Sequence, residues 1–491
     1  MSEVPTPSQS TGRSQAPVGV PALPAEIDAS CRGPLLLLFS AAALWLLVGL
    51  LLGLVASVKL HSPVLLIASA WLTYGRIQPA GMNALVYGFG LQAGLGVALW
   101  LLARLGRTPL VGPTAAIAGA LLWNVGMVAG VLGVLGGDST GHELLEMPGY
   151  ASPVLFLAFA LVGASALLTF QARRVSDLYV SQWFILAALF WWAWIYSTAN
   201  LLLVFLPVRG VMQALIDWWY LNNLFVIVLG FLGLGTIFYF VPKVTGRPLH
   251  SYALALFAFW GLAICAPWSG IAPGAPLPAW MPSVSTFFTF LVLVPTLAVA
   301  VNLWRTLWGA NSGESVPLKF IRFGALAWIA FNLLAAVTSI REVSYVTHFT
   351  WLERAQTQLL VVGFFALVMI GAIYQILPGL LACGQFHPKL RRATLWFGIL
   401  GTLLTVLPLI AAGVSEGLML NRRPDAAFAE ATHRALMPLR LSTLGELFLL
   451  LAGSSLALNL LGFLFGACRA CCLPALKAAC TSESSAAEVA P

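Results

Sequence analysis

Apolar runs alternate with short polar breaks along almost the whole chain. The runs fall at about 34–57, 79–103, 111–136, 152–172, 179–207, 217–242, 251–269, 283–307, 319–340, 355–380, 392–414 and 440–466. Each has roughly the 20 residues needed to cross about 30 Å of hydrocarbon at about 1.5 Å per residue. The pattern predicts an all-α polytopic membrane protein with twelve transmembrane helices. Residues 1–33 are rich in Ser, Pro and Ala, which predicts a disordered tail. They lack the charge–apolar–small order of a cleavable signal. Residues 34–466 form the membrane domain and 467–491 a Cys-containing tail; no internal repeat is visible.

Composition supports this division. The 491 residues are 60% hydrophobic and 9% charged, with 18 Trp and 29 Phe. The net charge of +8 does not point to nucleic acid, because the basic residues stand singly or in pairs between apolar runs. With the N-terminus inside, alternate loops collect Arg104, Arg107, Arg173, Arg174, Lys243, Arg247, Arg305, Lys319, Arg322, Lys389, Arg391 and Arg392. Including the tails, the inner side holds 16 Lys and Arg against nine outside, which predicts both termini on the cytoplasmic side of the membrane. The 137–151 loop agrees with an outer position, since it holds Asp138, Glu143 and Glu146 with no basic residue. Of the seven cysteines, Cys468, Cys471, Cys472 and Cys480 follow the last run without the paired His or Cys ligands that zinc sites use. Reduced thiols are expected there.

One run begins in an unusual way. "HFTWLERAQTQLLVV" carries Gln356 and Gln358 into an apolar helix. A buried amide needs a partner where water is absent, so the pair marks a polar interior, a cavity or the remains of one.

Several stretches resemble the catalytic subunit I of heme–copper oxidases, most closely the cbb3 type: "YGRIQPAGMNALVYGFG" (Tyr74–Gly90), "DLYVSQWFI" (Asp177–Ile185), the long segment from Asp217 to Trp260, "HFTWLERAQTQLLVVGF", "GAIYQILP" and "GVSEGLML". They occur in the family's order and cover nearly the whole chain after residue 34. The resemblance implies the twelve-helix fold, two hemes, a copper ion and cytochrome c oxidase activity. It also implies where ligands should stand. The low-spin heme position on the second helix is Gly81, and the family's H-x-H pair on the tenth aligns with Gln356 and Gln358. Asn222 occupies the first copper position, about Ala272 and Pro273 the next two, and Ala266 that of the redox tyrosine.

An imidazole nitrogen binds heme iron and copper through an available lone pair, whereas a carboxamide nitrogen has none. No heme or copper is therefore expected, and no catalytic or metal-binding residue is assigned. His61, His250 and His348 lie near span boundaries and are read as interfacial; Met82 is read as packing. Arg341 matches a basic position that the family places close to heme propionates. Glu353 and Arg354 read as a boundary pair, and Asn421–Arg434 as a charged outer loop. Carboxylates gather in loops and at helix ends, and the ninth helix has only Asn332 as a central polar residue, which argues against a proton pump.

The expected function is thus a degenerate subunit I-like membrane protein, acting as scaffold, assembly or accessory subunit of a respiratory-type complex, with other membrane subunits or a cytochrome as partner. A heme-containing terminal oxidase or nitric oxide reductase with unusual ligands, and a carrier or binder of a small molecule, lipid or quinone, are the alternatives. The amides of Asn222, Asn223, Gln356 and Gln358 should bond to protein groups. The second, sixth and tenth helices should close over the old site, with Trp191, Trp192, Trp194, Trp218, Trp219 and Trp260 available to fill it.

Overall fold

The computed structural model describes residues 23–308, 315–382, 384–422 and 428–472. Among these residues there is no strand, and eleven helices are long and apolar enough to cross a membrane. They are α1 (Pro24–His61), α2 (Tyr74–Gly106), α3 (Pro113–Gly136), α4 (Ala151–Gln171), α5 (Val180–Phe205), α6 (Val211–Thr245), α8 (Trp280–Leu307), α9 (Val316–Thr338), α10 (Trp351–Leu380), α11 (Pro388–Arg422) and α12 (Phe428–Ala467). A shorter apolar helix, α7 (Tyr252–Trp268), completes the twelve that the apolar runs predict. A further short helix, Arg341–Thr347, leads into α10.

The first helix starts earlier than expected. α1 begins at Pro24 rather than near 34, because Pro is suited to the first helical turn and Glu26 accepts a hydrogen bond from the Leu23 N–H at 3.2 Å. Asp28 then pairs with Arg104 at 3.4 Å and accepts from the Trp100 indole at 2.9 Å, which ties this turn to the end of α2. Residues 1–22 and 473–491, and with them most of both predicted tails, lie outside the described residues.

The two ends of the bundle differ. At the end where α1 starts, Arg32 donates to the Leu380 carbonyl and the Arg174 amide to that of Gly106, so the α2–α3 and α4–α5 connections and the end of α10 gather there. Helices approach closely where small residues permit it. α11 runs along α12, with Gly401 against Leu449 and Gly445 against Thr405, and α1 packs on α2 and α12.

Three helices share a further feature. α2, α6 and α10 each pass through a π-helical segment, at Ala84–Leu91, Asn223–Leu229 and Leu359–Ala366. Below these segments Gly94 packs on Leu232, and Gly233 packs on Phe364 of the α10 segment itself. Above them they separate.

Candidate functional site

The separation leaves a cavity of about 840 Å³ at the end of the bundle away from the start of α1. Tyr74, Gln78 and Met82 of α2, Trp218, Asn222 and Phe225 of α6, Phe331, Asn332 and Thr338 of α9, and Arg354, Gln356 and Gln358 of α10 all line it. So do Ala272 and Pro273 after α7, the segment from Thr347 to Glu353, Glu143 of the α3–α4 connection and Glu416 of α11. The expected closure of α2, α6 and α10 over this region does not occur. The Trp residues do not fill it either: Trp192 stacks on Tyr196 inside the bundle, Trp191 donates to Asn223 Oδ1 at 2.9 Å, and Trp194 and Trp260 are about half exposed on the outside. Trp218 alone of the six reaches the cavity wall.

Side-chain amides hold the wall in place. Asn222 Nδ2 donates to the Ala266 carbonyl at 2.8 Å and its Oδ1 accepts from Ser269 at 3.2 Å, fastening α6 to the end of α7. Gln356 Nε2 donates to Thr338 Oγ1 at 2.8 Å, and Gln358 Nε2 to Glu446 Oε1 of α12 at 3.1 Å. Asn223 Nδ2 donates to the Trp219 carbonyl one turn earlier. Each of these amides thus has at least one protein partner. The Gln358 Oε1 has no protein partner.

Six of the seven aligned positions converge. Asn222, Ala272, Pro273, Gln356 and Gln358 share the cavity, and Ala266 lies behind Asn222 as its acceptor. Gly81 stands apart: a Cβ there would lie 3.1 Å from the Leu52 Cβ and 3.3 Å from the Gly49 carbonyl, so this position faces α1. The adjacent Met82 faces the cavity.

The residues expected at the span boundaries bond to protein groups. His348 Nδ1 lies 2.5 Å from Glu353 Oε1, which also accepts from the Phe349 amide at 3.1 Å. Phe349 takes a positive φ of 60° there, an uncommon conformation for a bulky side chain. Arg354 donates to the Tyr74 hydroxyl at 2.7 Å rather than pairing with Glu353. His61 meets Thr443 at 3.1 Å, and the His250 amide donates to Thr306. Arg341 is exposed over the Tyr345 ring and does not reach the cavity. The segment Asn421–Arg434, expected as a loop, is largely helical: Asn421 and Arg422 end α11, and Glu430 and Arg434 pair at 3.2 Å one turn apart in α12; residues 423–427 lie outside the described residues, as do Cys480 and the side chains of Cys471 and Cys472. Among the described residues, no three His, Cys, Asp or Glu side chains gather into a metal-holding group.

Three carboxylates are buried, and one of them, Glu416, lines the cavity. Glu446 is only 2% exposed inside α12, beside Gln358, and Glu416 is 8% exposed at the cavity wall. The signal for Glu446 was present in the sequence: it is a lone carboxylate within an apolar run. Glu146, in the α3–α4 connection, turns inward and accepts from Asn83 Nδ2 at 2.7 Å. Burial pushes the Glu146 carboxyl up from 4.5 to about 7, against the lowering effect of Asn83 and of its own backbone amide; Glu143 and Asp217 add to the rise. Beyond it, Tyr87 donates to the Leu144 carbonyl and shares a hydrogen bond with Tyr220, locking this connection onto α2 and α6.

The arrangement of helices and aligned positions agrees with what comparison finds. Residues 34–448 match the model of the Cytochrome C and Quinol oxidase polypeptide I family. The chain belongs to this family. It is 27% identical over 391 residues to the Cbb3-type cytochrome c oxidase subunit CcoN1 of Stutzerimonas stutzeri, a match covering 76% of this chain and 81% of that protein. With the cytochrome c oxidase subunit 1 homolog of Azorhizobium caulinodans it shares 26% over 432 residues, covering 84% and 78%. The cytochrome c oxidase subunit 1 of Rhodobacter capsulatus shares 26% over 451 residues, covering 86% and 83%. A solved heme-copper terminal oxidase dimer superposes with a TM-score of 0.70 at 15% identity, covering 88% of this chain and 83% of that one, which supports the shared fold. The polypeptide I family thus supplies the architecture, and the side chains at the cavity decide what this member does with it.

Proposed function

We propose that this protein is a non-catalytic member of the polypeptide I family, serving as an accessory, assembly or scaffold subunit of a respiratory-type membrane complex. The donor set of the cavity carries this reading. Heme iron is held by imidazole, thiolate, thioether or phenolate, and copper in related sites by imidazole. Positions 81, 222, 272, 273, 356 and 358 offer a hydrogen atom, amides, a methyl group and a Pro ring. The one imidazole on the wall, His348, is engaged by Glu353 at the mouth, and Tyr74 by Arg354. Met82 is left as a single thioether, with Gly81 turned to α1. These residues do not fit two hemes and a copper ion. The basic asymmetry of the loops supports a cytoplasmic position for both termini, and the relatives' description as oxidase subunits supports membrane partners.

A reduced-minus-oxidised absorbance spectrum of the purified chain tests the reading. Flat difference spectra in the heme region are expected. Bands at one or two hemes per chain would instead favour an oxidase or nitric oxide reductase with unusual ligands. Gly81→His together with Gln358→His is expected to leave the spectrum flat, since the first imidazole would enter the tight contact with Leu52 and Gly49.

The cavity itself favours a second reading, in which the protein binds a small molecule. Its volume of about 840 Å³ lies within the roughly 300–1,000 Å³ of ordinary ligand sites.

A further inference from the structure

Glu446 lies within α12, a span of the membrane domain, and is only 2% exposed. Its Oε1 accepts from Gln358 Nε2 at 3.1 Å; among the described residues the carboxyl makes no other hydrogen bond and no ion pair. Gln358 is itself 4% exposed, and its own Oε1 is sealed off without a partner. Two opposite deficits therefore meet at one contact. The carboxyl lacks a counter-charge, and the amide oxygen lacks a donor.

None of the helices packed around Glu446 brings a base into contact with it. α10 carries Arg354 close enough for its charge to act on Glu446, but that guanidinium donates to the Tyr74 hydroxyl at 2.7 Å. α1 presents Gly53, where a Cβ would lie 3.6 Å from Glu446 Oε2. One and two turns further along α1, Ser57 and His61 meet Thr443 of α12 at 2.7 Å and 3.1 Å. α11 brings the neutral Thr405 against Gly445, and Arg440 of α12 is exposed. A carboxylate buried with one amide hydrogen bond and no ion pair loses more hydration than it regains.

We propose that Glu446 is a proton-binding site, which holds a proton on Oε2 at neutral pH and donates it in a hydrogen bond to Gln358 Oε1. The proton removes both deficits at once. It cancels the buried charge, and it turns an acceptor-only carboxylate into the donor that the amide oxygen lacks. The two side chains then form a neutral acid–amide pair with two hydrogen bonds, and this pair fastens α10 to α12.

Infrared absorption of the purified full chain at pH 8, in a detergent without ester groups, tests the proposal. The C=O stretch of a protonated carboxyl absorbs above the amide bands, clear of ionised carboxylates. The wild type is expected to show such a band, and Glu446→Gln to lose one carboxyl's share of it. The same variant should keep its unfolding temperature, because the new amide can donate to Gln358 Oε1 and accept from Nε2 as the protonated acid does. Gln358→Leu leaves Glu446 in place and should shift or abolish the band, which decides the matter even if the first variant does not fold. No protonated-carboxyl band in the wild type, or a band that Glu446→Gln leaves intact, would overturn the proposal. A band that Gln358→Leu leaves unmoved would overturn it equally, since the proton would then not be shared with the amide.

Discussion

The halves of α2, α6 and α10 on either side of their π-helical segments face the same neighbours and reach opposite outcomes. Below the segments, Gly94 makes a notch that receives Leu232, and Gly233 one that receives Phe364 of the α10 segment, and the helices close on one another. Above them, Asn222, Gln356 and Gln358 each turn to a different neighbour, at Ala266, Thr338 and Glu446, and the helices stay apart around about 840 Å³. Glycine against an aromatic ring leads to close packing because dispersion grows with every contacting atom. Polar side chains leave their helices apart when their hydrogen-bond partners lie on other elements around the wall. Amide and small side chains at these positions are therefore not enough to close a bundle whose polar groups bond elsewhere.

The largest expected effect lies in the packed half. Phe364→Ala, at a fully buried ring, should cost about 3–5 kcal/mol, read as a fall in unfolding temperature in detergent. If the two halves were equally well packed, Asn332→Ala at the cavity wall would cost as much; a markedly smaller loss is expected.

The pH dependence follows next. Glu146 has its carboxyl raised to about 7 from 4.5, so the folded chain holds a proton that the unfolded chain has released across that window. Its contribution to stability falls as pH rises from about 4.5 to about 7, by roughly 3 kcal/mol at most at about 1.4 kcal/mol per pH unit. Unfolding measured at pH 5 and pH 8 should show the fall in the wild type and a reduced fall in Glu146→Gln. An equal slope in both would show that this connection is not governed by Glu146.

A smaller effect sharpens the account of the open half. Gln358→Leu removes the side-chain donor to buried Glu446 and should cost about 1–3 kcal/mol. Glu446→Leu in the same chain should recover part of it, and a double-mutant cycle reads the coupling directly. The smallest effect is expected from Ala272→Phe, which places a ring in the cavity and should change stability by less than about 0.5 kcal/mol. A large loss there would mean that the cavity is less open than its walls indicate.

How much of this was legible in the sequence varies by residue. The apolar runs gave all twelve helices, and the motif around Tyr74–Gly90 together with Gln356 and Gln358 located most of the site. The start of α1 was misjudged because Ser- and Ala-rich composition hides a helical turn held by Glu26, Asp28 and Arg104. Glu446 was legible as a lone carboxylate in an apolar run, but its partner, 88 positions away along the chain, was not. Gly81 aligns with a position expected at the site, yet it faces α1, because the direction of a side chain depends on how the whole helix is turned.

The sequence by itself determined which segments span the bilayer and in what order, since span length and the charge of the connections are local properties that water and hydrocarbon read one segment at a time. Tertiary structure alone decided whether the upper bundle closed, that the Gln358 oxygen was left without a protein partner, and which carboxylates faced inward. Those outcomes depend on partners brought together from helices remote in sequence, and an amide whose hydrogen bond runs to another part of the wall leaves the space in front of it open.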